Sequence, residues 1–213
     1  MGGSENGTNV VSLVGALTDA EVVVAAQRGD RHALRVLYER HAPTFQRVVR
    51  RIIGESESAD ALQESFAAIF RNIRRLRDPE RFAAWAMTIV VNTARAQLRR
   101  RRARRWLSFP GDSEVPELPV STPLDPREAL RRCLRLLDRL PTDERIAFSL
   151  AHLEGMELAD AAGAMGISLA TYKRRLRRAR ERMEVLAQQD PSLRAFVTPG
   201  RDADPERSLV GSP

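Results

Sequence analysis

The sequence predicts an all-α protein made of two small helical domains joined by an extended linker. Three observations carry this prediction. Apolar residues recur at steps of three and four through most of the chain, the spacing that gathers side chains on one face of an α-helix. The stretch from Leu158 to Met183 reads as a short helix, a glycine turn and a long second helix loaded with arginine. Between the two helical stretches, residues 106–125 gather Pro110, Pro116, Pro119 and Pro123 among Asp112, Glu114, Glu117 and Asp125. That composition is an acidic, extended linker, either a soluble spacer or a segment that occupies a positively charged groove on a partner.

Residues 1–16 are rich in Gly, Ser and Asn and are expected to be loose. Thr18 and Glu21 have capping-box spacing, with Leu17 and Val22 placed as the hydrophobic staple, so a first helix starts at Thr18. Arg28-Gly29-Asp30 is a turn. After it, Leu34, Leu37, Tyr38, His41, Phe45, Val48, Val49 and Ile52 keep a helical period up to Gly54. A third helix follows from about Ser58, with Leu62, Phe66, Ile69, Phe70 and Ile73 inward, and ends near Leu76. Asp78 as cap and Pro79 at the first helical position open a fourth. Its inner side is Phe82, Trp85, Ile89, Ala94 and Leu98, and it runs out into Arg99, Arg100, Arg101, Arg102, Arg104 and Arg105. The first domain is placed at residues 17–105.

The second domain, residues 126–188, begins with Asp125-Pro126, and Leu130, Leu134, Leu137 and Leu140 form its first apolar stripe. Pro141 stops that helix. Thr142 is expected to cap the next, with Ile146, Leu150 and Leu153 inward and Gly155 past its end. In the helix-turn-helix that follows, Gly166 breaks the first helix and Ser168 caps the second. Leu169, Tyr172, Leu176, Ala179 and Met183 fall on one buried stripe, while Arg174, Arg177 and Arg178 point the other way. Residues 189–213 form a polar tail containing Pro and Gly, with no assigned structure.

Charge narrows the partner. Against 28 acidic residues stand 35 basic ones, a formal +7, and the isoelectric point near 10.9 favours a polyanion. Lys173 is the sole lysine. A GC-rich genome is a plainer account of that arginine bias than selection for bidentate phosphate contacts, so the location of the arginines is the better evidence. The run from Arg99 continues a packed aromatic helix, which suits nucleic-acid contact as well as a solvated face.

Other chemistries are poorly served. Cys133 is the single cysteine, so no internal disulfide and no cysteine-based zinc site can form, and its leucine neighbours make it a core filler. His32, His41 and His152 are scattered, no Ser-His-acid or metal spacing occurs, and the glycines build no phosphate loop. Neither an enzyme nor a cofactor is expected. The apolar run Val10–Leu17 lacks a positive leader and is too short to span a membrane, which suggests a cytoplasmic protein.

Taken together, these pieces resemble a bacterial RNA polymerase sigma factor of the extracytoplasmic function (ECF) subfamily, reduced sigma factors that keep only regions two and four. In the first domain the carrying residues are Gly29-Asp30, Leu37-Tyr38 with Arg40, the run Asp60-Ala61-Leu62-Gln63-Glu64-Ser65-Phe66, then Trp85, Ile89 and Asn92. In the second they are Leu140-Pro141, Arg145, Leu153-Glu154-Gly155, Gly166-Ile167-Ser168 and the string from Thr171 to Arg180. Their order covers the chain from about Thr18 to Ala187. It departs from the family pattern at Ala59, where glutamate is usual, at Val91, where arginine is common, and at Ala96, where aspartate is common. A softer departure is Asp160-Ala161-Ala162, where the family favours Glu-Ile-Ala.

The resemblance implies a four-helix region-two domain and a region-four helix-turn-helix domain. It implies that Asp60, Gln63, Glu64 and Phe66 dock on core RNA polymerase. The minus-ten reader would lie between Asn72 and Phe82, including Arg74 and Arg77, with Asn92, Arg95 and Arg99 tracking the opened strand. Region four would lay the helix from Ser168 into the major groove at the minus-thirty-five element. Angular bookkeeping from the apolar stripe leaves Ala170, Thr171, Arg174, Arg177 and Arg178 facing that groove, with Lys173 and Arg175 on its flanks. Promoter DNA, core polymerase and an anti-sigma factor are the implied partners.

Two rival readings use the same residues. A helix-turn-helix regulator acting without polymerase would need a dimer surface or a sensor domain, and neither is evident. A sigma mimic that sequesters a regulator would bind without starting transcription. Co-elution with core polymerase tests the first, and transcription with core enzyme tests the second.

Overall fold

The computed structural model describes residues 17–107 and 126–190, whose regular elements are all helical, with no strand among them. Residues 1–16, the linker beyond Leu107 and the tail after Asp190 lie outside the described residues, as do the side chains of Arg105, at the end of the basic run, of Leu130, on the expected stripe, and of residues 106, 107, 126, 127 and 129.

Short-range capping sets the helix starts. Helix α1 spans Asp19–Gln27. The Glu21 N–H donates to Thr18 Oγ1 at 3.3 Å, while the Glu21 carboxylate accepts the Thr18 N–H at 2.8 Å. The backbone bond, helped by the Thr18 hydroxyl, holds the Glu21 carboxyl below its ordinary range. Helix α2, Arg31–Ile53, starts at Asp30, whose carboxylate accepts the His32 and Ala33 N–H groups at 2.8 and 3.4 Å. It runs through Pro43, which supplies no N–H. Burial of Leu37, Phe45, Val48, Val49 and Ile52 on either side keeps it continuous.

Helix α3 spans Ser58–Asn72 and tightens into a 3-10 turn over Ile73–Arg75. A second such turn, Pro79–Arg81, begins at Asp78, whose side chain accepts the Glu80 N–H at 3.2 Å, and leads into helix α4, Phe82–Leu107. The inner face of α4 keeps Phe82, Ala94 and Leu98 of the expected set but is rotated away from Trp85 and Ile89. Phe82, Ala86, Val90, Val91, Ala94 and Leu98 are buried, whereas Trp85 and Ile89 are only partly covered. The step-four row of mostly small residues lets α4 lie close against α2 and α3.

The second unit opens with helix α5, Pro126–Leu137, which buries Leu136 and Leu137 while Leu134 stays exposed. Leu140, Ala179 and Met183 complete this small cluster, so α5 is covered along a narrower strip than its leucine stripe implied. Helix α6, Thr142–Phe148, passes directly into a π-helical turn, Ser149–Leu153. Pro141 takes its cap position, and Thr142 is the first helical residue instead of the cap, with no side chain closing the helix start. Helix α7, Leu158–Met165, ends at Gly166 in the left-handed conformation (φ 67°, ψ 35°). Helix α8, Leu169–Gln189, follows Ser168, whose Oγ accepts the Thr171 N–H at 3.3 Å.

The two units also pack on one another. Helix α4 lies against α6 and α7, and α2 against the turn after α6. Ile146, Leu150, Ala161, Met165 and Tyr172 therefore belong to the same buried cluster as Leu37, Phe45 and Phe82.

Candidate nucleic-acid and polymerase interface

Helix α8 has one buried and one open face. Tyr172, Leu176, Ala179 and Met183 are buried, and Lys173, Arg174, Arg177 and Arg178 are exposed. Leu169, expected on the buried stripe, is 41% exposed, because the stripe meets its partners only from the second turn onward. The anchor is Tyr172, whose hydroxyl donates to the Ala147 carbonyl at 2.9 Å inside the core. Burial pushes this phenol up to about 12, against the opposing pull of Arg180. Thr171 is half-buried, its Oγ1 accepting from the Ser168 hydroxyl at 3.0 Å. Arg175, on the flank, pairs with Asp143 of α6 at 3.2 Å.

Helix α4 brings a second set of arginines to the same place. Arg95 Nε donates to Asp143 Oδ1 at 2.9 Å, its Nη2 donates to the Met165 carbonyl at 3.2 Å, and its Nη1 to Asn92 Oδ1. Arg95, Arg99, Arg100 and Arg175 line an open cleft of about 660 Å³ together with Asp143, which pairs with Arg95 and Arg175. Asp143 offsets one of the four guanidinium charges and Glu64, which faces Arg100 at 3.5 Å, offsets a second, so the cleft keeps a positive excess that suits phosphate. Arg99 is exposed within it.

Asn72, Arg74 and Arg77 are not brought to this cleft. They lie by the start of α4, and 13 residues of helix separate Phe82 from Arg95, about 20 Å at 1.5 Å per residue. Asn72 Nδ2 donates to the Ala68 carbonyl at 2.8 Å, and Arg74 Nε to the Gln27 carbonyl at 3.2 Å; Arg77 is exposed. Gln27, which the sequence did not single out, fixes this connection: its Nε2 donates to the carbonyls of Ile73 and Leu76 at 3.0 and 2.8 Å.

On α3, Asp60 and Gln63 are exposed, and Glu64 is half-covered, accepting from Gln97 Nε2 at 2.9 Å and facing Arg100 at 3.5 Å. Phe66 is 3% exposed and lies beneath Tyr38, ring centroids 4.6 Å apart. Tyr38 itself is 41% exposed, an aromatic surface that its core-like spacing had concealed.

Residues 37–104 match the family profile described as sigma-70 region 2, and residues 130–183 the one described as sigma-70, region 4. The chain is 32% identical over 167 residues to the ECF RNA polymerase sigma factor SigM of Mycobacterium tuberculosis, covering 78% of this chain and 83% of that protein. The chain belongs to the ECF RNA polymerase sigma factors. As an ECF sigma factor it is a DNA-binding transcription initiation protein and not an enzyme, with its helix-turn-helix in region four.

Solved structures agree on the fold. The ECF sigma factor superposes on CnrH, from its complex with the cytosolic domain of CnrY, with a TM-score of 0.57 at 27% identity, covering 81% of this chain and 98% of that one. It superposes on the sigma factor RpoE of Bartonella quintana, solved with the anti-sigma factor NepR, at 0.52 and 23% identity, covering 73% and 97%. Of the polar residues sequence reading missed in this ECF sigma factor, Gln27 and Asp143 act across long sequence separations, where local pattern carries no signal, and Asp138 joins distant Arg101 to nearby Arg145.

Proposed function

We propose that this sigma factor docks on core polymerase through the Asp60–Glu64 face of α3, reads the minus-ten element at the α3–α4 connection and the minus-thirty-five element with α8. In region two, Asp60, Gln63 and Glu64 are the polar contacts, with Phe66 holding Tyr38 outward from beneath. Asn72, Arg74 and Arg77 meet the opened strand where Gln27 fixes the chain, and Asn92, Arg95 and Arg99 follow its phosphates along α4. In region four, Ser168, Thr171, Arg174, Arg177 and Arg178 enter the major groove, and Lys173 and Arg175 meet flanking phosphates.

The observation that carries this reading is the two-sided character of α8, a capped helix anchored by Tyr172 with Lys173, Arg174, Arg177 and Arg178 exposed opposite. An anti-sigma factor is the natural negative partner, given the complexes in which the two neighbouring structures were solved. Among the described residues no helix is long and apolar enough to cross a membrane, and work on promoter DNA assigns the protein to the cytoplasm.

Run-off transcription with purified core polymerase on candidate promoters tests the proposal. Discrete start sites dependent on this chain support it. Co-elution with core enzyme without start-site selection on any template overturns it in favour of a sigma mimic.

A further inference from the structure

One carboxylate joins the two sets of arginines assigned above to promoter DNA. Asp143 Oδ1 accepts from Arg95 of α4 at 2.9 Å, and Asp143 Oδ2 pairs with Arg175 of α8 at 3.2 Å. Both guanidinium groups are largely covered, with 15% and 29% of their side chains exposed. A carboxylate held between two guanidinium forks takes the position a phosphate takes when arginines bind nucleic acid.

The seam around this carboxylate is built to close. Thr88, Val91 and Arg95 lie at steps of three and four on α4, and therefore on one face. Thr88 Oγ1 contacts the Gly163 carbonyl at 3.4 Å, Arg95 reaches the Met165 carbonyl, and Val91 is fully buried between them. Farther along, Arg101 pairs with Asp138 at 2.6 Å, and Arg47 with the largely buried Glu154 at 2.7 Å.

Geometry makes this arrangement incompatible with a promoter. Elements centred 25 base pairs apart are separated by about 85 Å at roughly 3.4 Å per base pair. Arg95 and Arg175 share a single carboxylate here, so one molecule cannot hold both elements while closed. We infer that Asp143 is an internal phosphate mimic: it occupies Arg95 and Arg175 in the closed chain, and promoter phosphates displace it as the two units part. The inference rests on the assignment of Arg95 and Arg175 to DNA. Acidic residues near a helix start also stabilise the helix itself, and Asp143 sits in the first turn of α6. The test must therefore read closure separately from folding.

The full-length chain with Cys133→Ser carries fluorophores at Arg71→Cys and Glu184→Cys, both exposed positions on different units. Energy transfer reports closure, and binding to a minus-thirty-five duplex is measured on the same samples. Asp143→Asn is expected to lower transfer and to strengthen duplex binding three- to tenfold, while Asp143→Glu keeps wild-type transfer. Raising salt from 0.05 to 0.5 M is expected to lower transfer in the parent and much less in Asp143→Asn. Unchanged transfer in Asp143→Asn overturns the latch. Lowered transfer with unchanged duplex affinity overturns the mimicry by a different route, since it removes these arginines from the DNA contacts.

Discussion

Arg145 of α6 donates from Nε to the carbonyl oxygen of Ile52 at the end of α2, 2.6 Å away, and pairs through Nη1 with Asp138. The guanidinium is almost wholly enclosed, and it satisfies a carbonyl that the last turn of a helix leaves without an intrahelical donor. Arg145→Ala strands that carbonyl and leaves Asp138 with Arg101 alone. A loss of about 2–3 kcal/mol is expected, read from chemical denaturation. Arg145→Lys should recover only part, because a single ammonium cannot match the fork.

Tyr172 gives a pH signature. Its phenol is raised to about 12 in the folded chain, first by burial, against an unfolded value near 10. The stability it contributes is fully present below pH 10 and is lost as pH rises through 12. Denaturation midpoints between pH 10 and 12 should fall in the parent and fall less in Tyr172→Phe. At neutral pH the same variant should lose about 1 kcal/mol with the bond to Ala147.

Polymerase docking separates two neighbours on α3. Gln63 is exposed and makes no internal bond among the described residues, whereas Glu64 is tied to Gln97 and Arg100. Gln63→Ala should weaken binding to core polymerase by about 0.5–1.5 kcal/mol and leave the melting temperature unchanged. Glu64→Ala should weaken binding and also loosen α4. Binding unaltered in both variants removes this face from the interface.

The α8 arginines divide by role. Arg174→Ala should relax base preference by about 1–3 kcal/mol at one position of the minus-thirty-five element. Lys173→Ala should weaken binding evenly across sequences and flatten the salt dependence. A mutant promoter screen with both variants distinguishes these outcomes, and the reverse pattern would refute the assigned facing.

Legibility followed distance along the chain. The capping contacts at Thr18, Asp78 and Ser168 span two or three residues, and each was readable from residue type and spacing, whereas Asp30 was read only as part of a turn. The turn at Gly166 was equally local. Periodicity found the helices but not always the face that counts: Trp85 and Ile89 looked central on α4, yet the row Phe82, Ala86, Val90 and Ala94 is what packs. Pattern cannot report that α4 is covered from two sides. Nor can it pair Arg95 with Asp143, or Arg47 with Glu154, residues 48 and 107 apart.

The core that runs through both units bears on how such a protein can be dissected. A fragment starting at Pro126 would bring Ile146, Leu150, Ala161 and Met165 into contact with solvent, and one ending at Leu107 would uncover Val91. Cutting at the linker thus lays bare for good, in each half, the apolar seam that the intact chain uncovers only when its units part.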